Sequence, residues 1–346
     1  MTRPVAGVAA LARAPTGARH RGDVSAVSGH AVRLATVLAM FGVTAGYLAA
    51  APIVSAGTSR QVGQVLVVTA LVLGLPHGAA DVDTEALRGA STIRWLAGMA
   101  AYAGAAGAAV AAWTQWPTAT VLALLLIAAV HFGVSDAAAA PSPYLRILTA
   151  IAGGLIPVAV PVALHGPPLV SLLDALSAGH GHTLVTAARA GVPAAGLAAA
   201  ALVVAAARRR DWLSCGEPLA VLAVFVALPP LLAFAAYYAL WHCTRQVLPT
   251  LTNVARRHGL TLRHAAARYL VRTAVPSLVV LIAATMVLTQ HRIPLTAVAI
   301  ITVLSLTVPH AATTALQAHL TRTRAQDGRV PGAQRWRGSA SRAKAA

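Results

Sequence analysis

Long apolar runs separated by short polar connections dominate this chain. Candidate membrane spans fall at 31–56, 61–80, 95–113, 117–139, 144–164, 184–207, 274–290 and 294–315, with a further apolar region over 217–228 and 231–250. Several runs reach the length of about 20 residues that a helix needs to cross a hydrocarbon core roughly 30 Å thick. A soluble domain would have to bury all of them at once, with too little polar sequence left to cover them. The predicted fold class is therefore all-α: a polytopic integral membrane helical bundle of about 8–10 transmembrane helices. The connection "HGPPLVSLLDALSAGHGHT", 165–183, predicts a loop with one short helix. Proline lacks an amide donor and cannot continue a helix interior. The pair Pro229-Pro230 thus makes 217–250 either two short helices meeting in a sharp turn or one kinked helix. No convincing internal repeat is visible.

Composition agrees. Of 346 residues, 58% are hydrophobic and 10% charged, against about a quarter charged in soluble proteins; the mean hydropathy is +0.70. The net charge of +18 would suit nucleic acid, but Lys and Arg sit mostly in short connections and in both tails, as the positive-inside rule expects. No aromatic-basic interleaving of the RNA-binding kind occurs, so nucleic acid is excluded as a partner and membrane lipid, with anionic heads near the basic tails, is expected. Counting arginines places both termini inside: Arg3 to Arg33, Arg88 and Arg94, Arg146, Arg208 to Arg210, and Arg256 to Arg272 fall on one side if 217–250 crosses an even number of times. The organisation reads as a disordered basic cytoplasmic tail over 1–30, a transmembrane domain over 31–315 and a second such tail over 316–346, in a multi-pass protein of the cell membrane. The N-terminus shows no signal-peptide core, and Cys215 and Cys243 read as free thiols.

Candidate chemistry changes the picture. Only nine residues are acidic, and three of them, Asp81, Asp83 and Glu85, stand together after "LVLGLPHGAA". Among thirteen histidines, His77, His131, His242 and His310 each lie in the last third of an apolar region. The arginine-derived topology brings all four to similar depth on one side, a coincidence that the arginine count did not require. Polar groups within spans are costly and tend to face a cavity or one another. Imidazole is the commonest metal ligand and suits Fe, Zn and Cu, and nearby carboxylates suggest orientation of ligand imidazoles. Asp81 follows His77 by four residues. Asp136 follows His131 by five, off its face, and better suits another imidazole or Arg245. Arg245 and Gln246 lie three and four residues after His242, on its face. His180 and His182 fall on the opposite side in a Gly-rich loop and are set aside. Tyr237, Tyr238 and Trp241 are either interfacial anchors or a flat wall for a conjugated substrate. On residues alone, the cluster is a metal centre or a proton relay. A transporter would show inverted repeats and matching helix breaks, and only the Pro229 break is seen. Another metal-dependent lipid oxidase would carry histidine boxes such as HxxHH, absent here.

"GLPHGAADVD", "HFGVSD" and "YYALWHCTRQ", in this order, resemble the Brp/Blh family of β-carotene 15,15'-dioxygenases over about residues 35 to 315. The resemblance implies a polytopic, iron(II)-dependent enzyme that splits the central double bond of β-carotene with O₂ into two molecules of retinal. It implies that His77, His131 and His242 are catalytic iron ligands and that 31–315 is the catalytic domain. The family usually carries a second histidine four residues after the last of these; here that position is Gln246, a weaker ligand for Fe(II). The site then runs on three histidines plus Gln246, or His310 of "TVPHAATT" completes it, or the activity is altered. Asp81, Asp136 and Arg245 become supports of the ligand shell, and a rhodopsin is a candidate acceptor of retinal.

Overall fold

A computed structural model describes residues 29–79, 92–291 and 293–326. Among these residues there is no strand, and eight helices are long and apolar enough to cross a membrane. In chain order the helices are α1 (Gly29–Ala50), α2 (Ala56–Ala79), α3 (Thr92–Gln115), α4 (Pro117–Ala137), α5 (Pro143–Leu164), α6 (Gly166–Ser177), α7 (Gly181–Arg208), α8 (Trp212–Ala227) and α9 (Pro230–Ala236). A π-helical segment, Tyr237–Cys243, follows without a break, then α10 (Thr244–His258), α11 (Leu262–His291) and α12 (Leu295–Gln326).

Local chemistry explains the boundaries. Pro117 and Pro143 open α4 and α5, at positions where a missing amide costs nothing. The Ser142 hydroxyl caps α5 by accepting from the Leu145 amide at 3.3 Å. Asp174 of α6 accepts from the Gly181 amide at 2.8 Å and so ties α6 to the start of α7. Gly259, at φ +62°, closes α10 in the left-handed conformation that a helix C-terminus favours. Leu228 is extended (φ −94°, ψ 152°), as a residue before proline must be, and this single residue separates α8 from the Pro229-Pro230 step. The region 217–250 is thus two helical arms meeting in a sharp turn, the first of the two alternatives. The 165–183 connection is mostly the one helix α6.

Two helices run past their expected ends. α11 begins at Leu262, twelve residues before the apolar run starts, and α12 continues to Gln326 instead of stopping near 315. Residues 316–326 are therefore helix, a correction to the expected disordered tail. The remaining expected tail residues, 1–28 and 327–346, lie outside the described residues.

The bundle is assembled by close approaches of small residues. α4 and α5 cross where Gly133 meets the carbonyl oxygen of Ala150 and Gly154 meets that of Ala129; a Cβ at either glycine would overlap those atoms. Tyr237, Phe225, Met40 and Ile156 are the largest side chains buried at the centre. By contrast, α3 and α11 carry apolar side chains that face outward: Val271, Val275, Leu278, Val279 and Ile282 are all exposed. Apolar surface of that extent is disfavoured in water and suits lipid. The chain is a multi-pass membrane protein.

Candidate metal centre

Four elements deliver one histidine each. α2 carries His77 two residues before its end, directly after Pro76. Tyrosines brace this last turn: Tyr269 of α11 donates to the Pro76 carbonyl at 2.8 Å and Tyr102 of α3 to the Gly78 carbonyl at 3.5 Å. Gly74, three residues before His77, leaves room for the Tyr238 ring, which a Cβ there would strike. α4 carries His131, two residues before the Gly133 contact that fixes this helix against α5. α12 carries His310 after Pro309.

The fourth histidine stands on the π-helical segment. π-turns are rare and recur at functional sites. The widened turn lets Tyr237, Tyr238, Trp241 and His242, four large rings in six residues, all bury themselves in the bundle. Phe132 packs edge-on against Tyr237 at 5.6 Å and against His242 at 4.7 Å between ring centroids. The Thr244 hydroxyl donates to the Ala239 carbonyl five residues back, at 2.9 Å. Burial of Tyr237, Tyr238 and Trp241 overturns the reading of these residues as interfacial anchors.

The expected convergence is present. Ligand atoms of His77, His131 and His242 all lie within 4.8 Å of one another. Ring centroids of His242 stand 5.3 Å from both His77 and His131. His310 closes the group, 4.7 Å from His77 and 4.6 Å from His131. His131 and His242 are 7% and 3% exposed. The Nε2 atoms of His77 and His131 are buried without a hydrogen-bond partner. Buried polar atoms are almost always bonded, so two imidazole nitrogens left bare beside a third imidazole fit a metal ion, and a neutral imidazole set suits Fe(II).

The expected supports lie elsewhere. Asp136 accepts from the Trp241 indole Nε1 at 3.2 Å, so its hydrogen bond goes to an indole and not to an imidazole. Arg245 stacks on the Trp241 face, with Cζ 3.4 Å from the ring centroid. Its guanidinium donates to Thr36 of α1 at 2.9 and 3.0 Å and to Glu217 of α8 at 2.9 Å. Both residues therefore hold the neighbour of His242 and, among the described residues, make no hydrogen bond to a histidine, which corrects the expectation of direct support. Gln246 lines a chamber of about 880 Å³ with Arg33, Asp136, Glu217, Trp241 and Arg245, and none of the four histidines lines it. Asp81 lies outside the described residues. Glu217 and Arg33 escaped the sequence reading. Arg33 donates to the Glu217 carboxylate at 2.9 and 2.7 Å and to the Ser214 hydroxyl at 2.8 Å. The available signal was a rare carboxylate at the start of an apolar run. Outside the spans, Asp211 caps α8, and hydrogen bonds from Ser214 hold its carboxyl below the usual carboxylate range.

A second cavity, of about 120 Å³, is almost wholly apolar. It lies between α4, α5, α6, α9 and α12, and its lining includes Phe132, Pro157, Leu173, Phe234 and Thr307. Phe132 belongs both to this wall and to the rings around His242.

A family model described as beta-carotene 15,15'-dioxygenase matches residues 68–316, a stretch that holds all four histidines. The chain is 29% identical over 206 residues to the protein named "Probable beta-carotene 15,15'-dioxygenase Blh" of Halobacterium salinarum; the alignment covers 53% of this chain and 60% of that protein. The chain thus spans about 60% of this curated relative's length. No solved structure matches.

Proposed function

This chain belongs to the β-carotene 15,15'-dioxygenase family, and from that premise we propose that it holds one Fe(II) on His77, His131 and His242 and cleaves the central double bond of β-carotene with O₂. His310 is the fourth ligand or the immediate neighbour that packs the set. The observation that carries this reading is the approach of three imidazoles, from three separate elements, to within 4.8 Å of one another, two with bare Nε2 atoms.

The overall reaction balances without other reagents. One C=C bond breaks and two C=O bonds form, each taking one atom of O₂, so β-carotene gives two molecules of retinal and no external reductant is consumed. The iron supplies the activation of O₂. The chain supplies position and dryness. Its imidazoles are held by a helix end braced by tyrosines, by a glycine-locked helix and by a π-turn, all rigid supports. Phe132 separates His242 from the apolar cavity and offers a ring edge to a polyene lying there. At about 120 Å³ that cavity is smaller than pockets for drug-sized ligands, which run from roughly 300 Å³. Entry of a C40 hydrocarbon therefore requires its lining helices to part toward the lipid, in which β-carotene dissolves. The cell membrane is the proposed location, and a rhodopsin the proposed acceptor of retinal.

The test is expression in cells that accumulate β-carotene, followed by pigment extraction. Loss of carotene with matching gain of retinal is expected from the native chain, and no loss from His131→Ala inserted at equal level. Unchanged carotene beside well-folded native protein would overturn the reading and return the buried imidazoles to a relay role; cleavage retained in His131→Ala would remove His131 from the ligand set.

A further inference from the structure

We propose that Trp241 is the positioning residue for His242, and that Asp136, Arg245 and Glu217 act by gripping its indole. The inference rests on the metal-centre reading of the histidines and goes beyond it, because none of these residues is a ligand.

The grip has two parts. At the ring edge, Asp136 of α4 accepts the indole N–H at 3.2 Å. At the ring face, the Arg245 guanidinium lies 3.4 Å away. That guanidinium is itself held at 2.9 Å by Glu217 and at 2.9 and 3.0 Å by Thr36. Glu217 is shared with Arg33, which also donates to Ser214. The indole, 2% exposed, is thus tied to α1, α4 and α8 at once. The next residue in the chain is His242. A π-turn is intrinsically poorer than an α-turn and persists where its surroundings over-determine it; a ring fixed at edge and face is such a surrounding.

Asp136 also lies on the helix that carries His131. Its bond to Trp241 therefore ties α4 to the π-segment and sets the spacing of His131 and His242, whose centroids are 5.3 Å apart. The carboxylate has little freedom of its own. A Cβ on Gly153 of α5 would come within 3.0 Å of Asp136 Oδ2, the oxygen that accepts from the indole. Trp241 further lines the chamber of about 880 Å³ that the four histidines do not.

The experiment is Co(II) titration of the purified chain in detergent, read by its visible absorption, alongside the melting temperature. Trp241→Phe keeps an aromatic face and loses the N–H; Asp136→Ala loses the acceptor. Each is expected to weaken Co(II) binding by about 10- to 100-fold, the range for partners that orient metal ligands, and to alter the absorption bands. Asp136→Asn retains an oxygen that accepts the indole N–H and is expected to return affinity to within a few-fold of the native chain. Gly153→Ala, which crowds the carboxylate without removing it, shifts the bands in the same direction and serves if Asp136→Ala does not fold. Native affinity and bands in Trp241→Phe and Gly153→Ala, whatever their melting temperatures, would overturn the positioning role alone. A native chain that takes up no Co(II) would overturn the metal centre and this inference together.

Discussion

Two polar groups meet at the Trp241-His242 step of the chain, and they are satisfied in opposite ways. Next to Trp241, Glu217, Arg33, Arg245, Thr36 and Ser214 are joined by hydrogen bonds between 2.7 and 3.0 Å. Around His242, four imidazoles crowd together, and the Nε2 atoms of His77 and His131 have no hydrogen-bond partner among the described residues. A polar group that the fold needs is bonded by the fold. One left bare in a buried place costs stability, about 1–3 kcal/mol for a neutral group, and that cost persists where something outside the chain completes the site. The difference sets the two groups apart without reference to any relative.

The comparison is broken most directly at His77. His77→Phe removes a bare nitrogen and keeps a ring. Loss of metal binding is expected beyond the roughly 100-fold seen for outer supports, while the melting temperature of metal-free protein stays level or rises. A clear fall in that temperature would show that the imidazole is held by the fold and would cancel the contrast. The converse change is Glu217→Leu. Arg33 and Arg245 then lose their shared carboxylate while still partly buried, with side chains 34% and 15% exposed. Charged hydrogen bonds contribute about 1.5–3 kcal/mol each, reduced here by solvent contact at Arg33. A loss of about 2 kcal/mol in unfolding free energy is expected, with metal affinity falling less than in Trp241→Phe.

Much of the site was legible, and the illegible part has a physical cause. Hydropathy marks where lipid ends and not where a helix ends, which is why α11 and α12 outrun their apolar cores while the number of long spans is as expected. The arginine bias put His310 at the depth of the other three, and its ring does pack on His77 and His131. The π-turn carries no such signal. Its seven residues read as ordinary helix, and the rings it presents are accepted by Phe132, Phe225 and Gly74 from other helices, far off in sequence. Partner choice was equally hidden. Asp136 had an imidazole and a guanidinium in prospect; the Arg245 charge does act on it, but its hydrogen bond goes to an indole, since its reach depends on how α4 crosses the π-segment. Glu217 finds Arg33 across 184 residues, a separation over which local pattern says nothing.

Gln246 gives the smallest and most discriminating change. The resemblance of "WHCTRQ" to the family's motif made it a candidate ligand. Here it faces the chamber together with Arg245, Asn253 and Arg256. If that chamber is purely structural, Gln246→His adds an imidazole where polar groups already serve one another. The metal content should remain one per chain, Co(II) bands should keep their positions, and stability should move by no more than about 0.5 kcal/mol, as for surface-like sites. A band shift to a more imidazole-rich spectrum, or a rise in affinity above tenfold, would mean that position 246 reaches the metal. The two polar regions would then be parts of a single site.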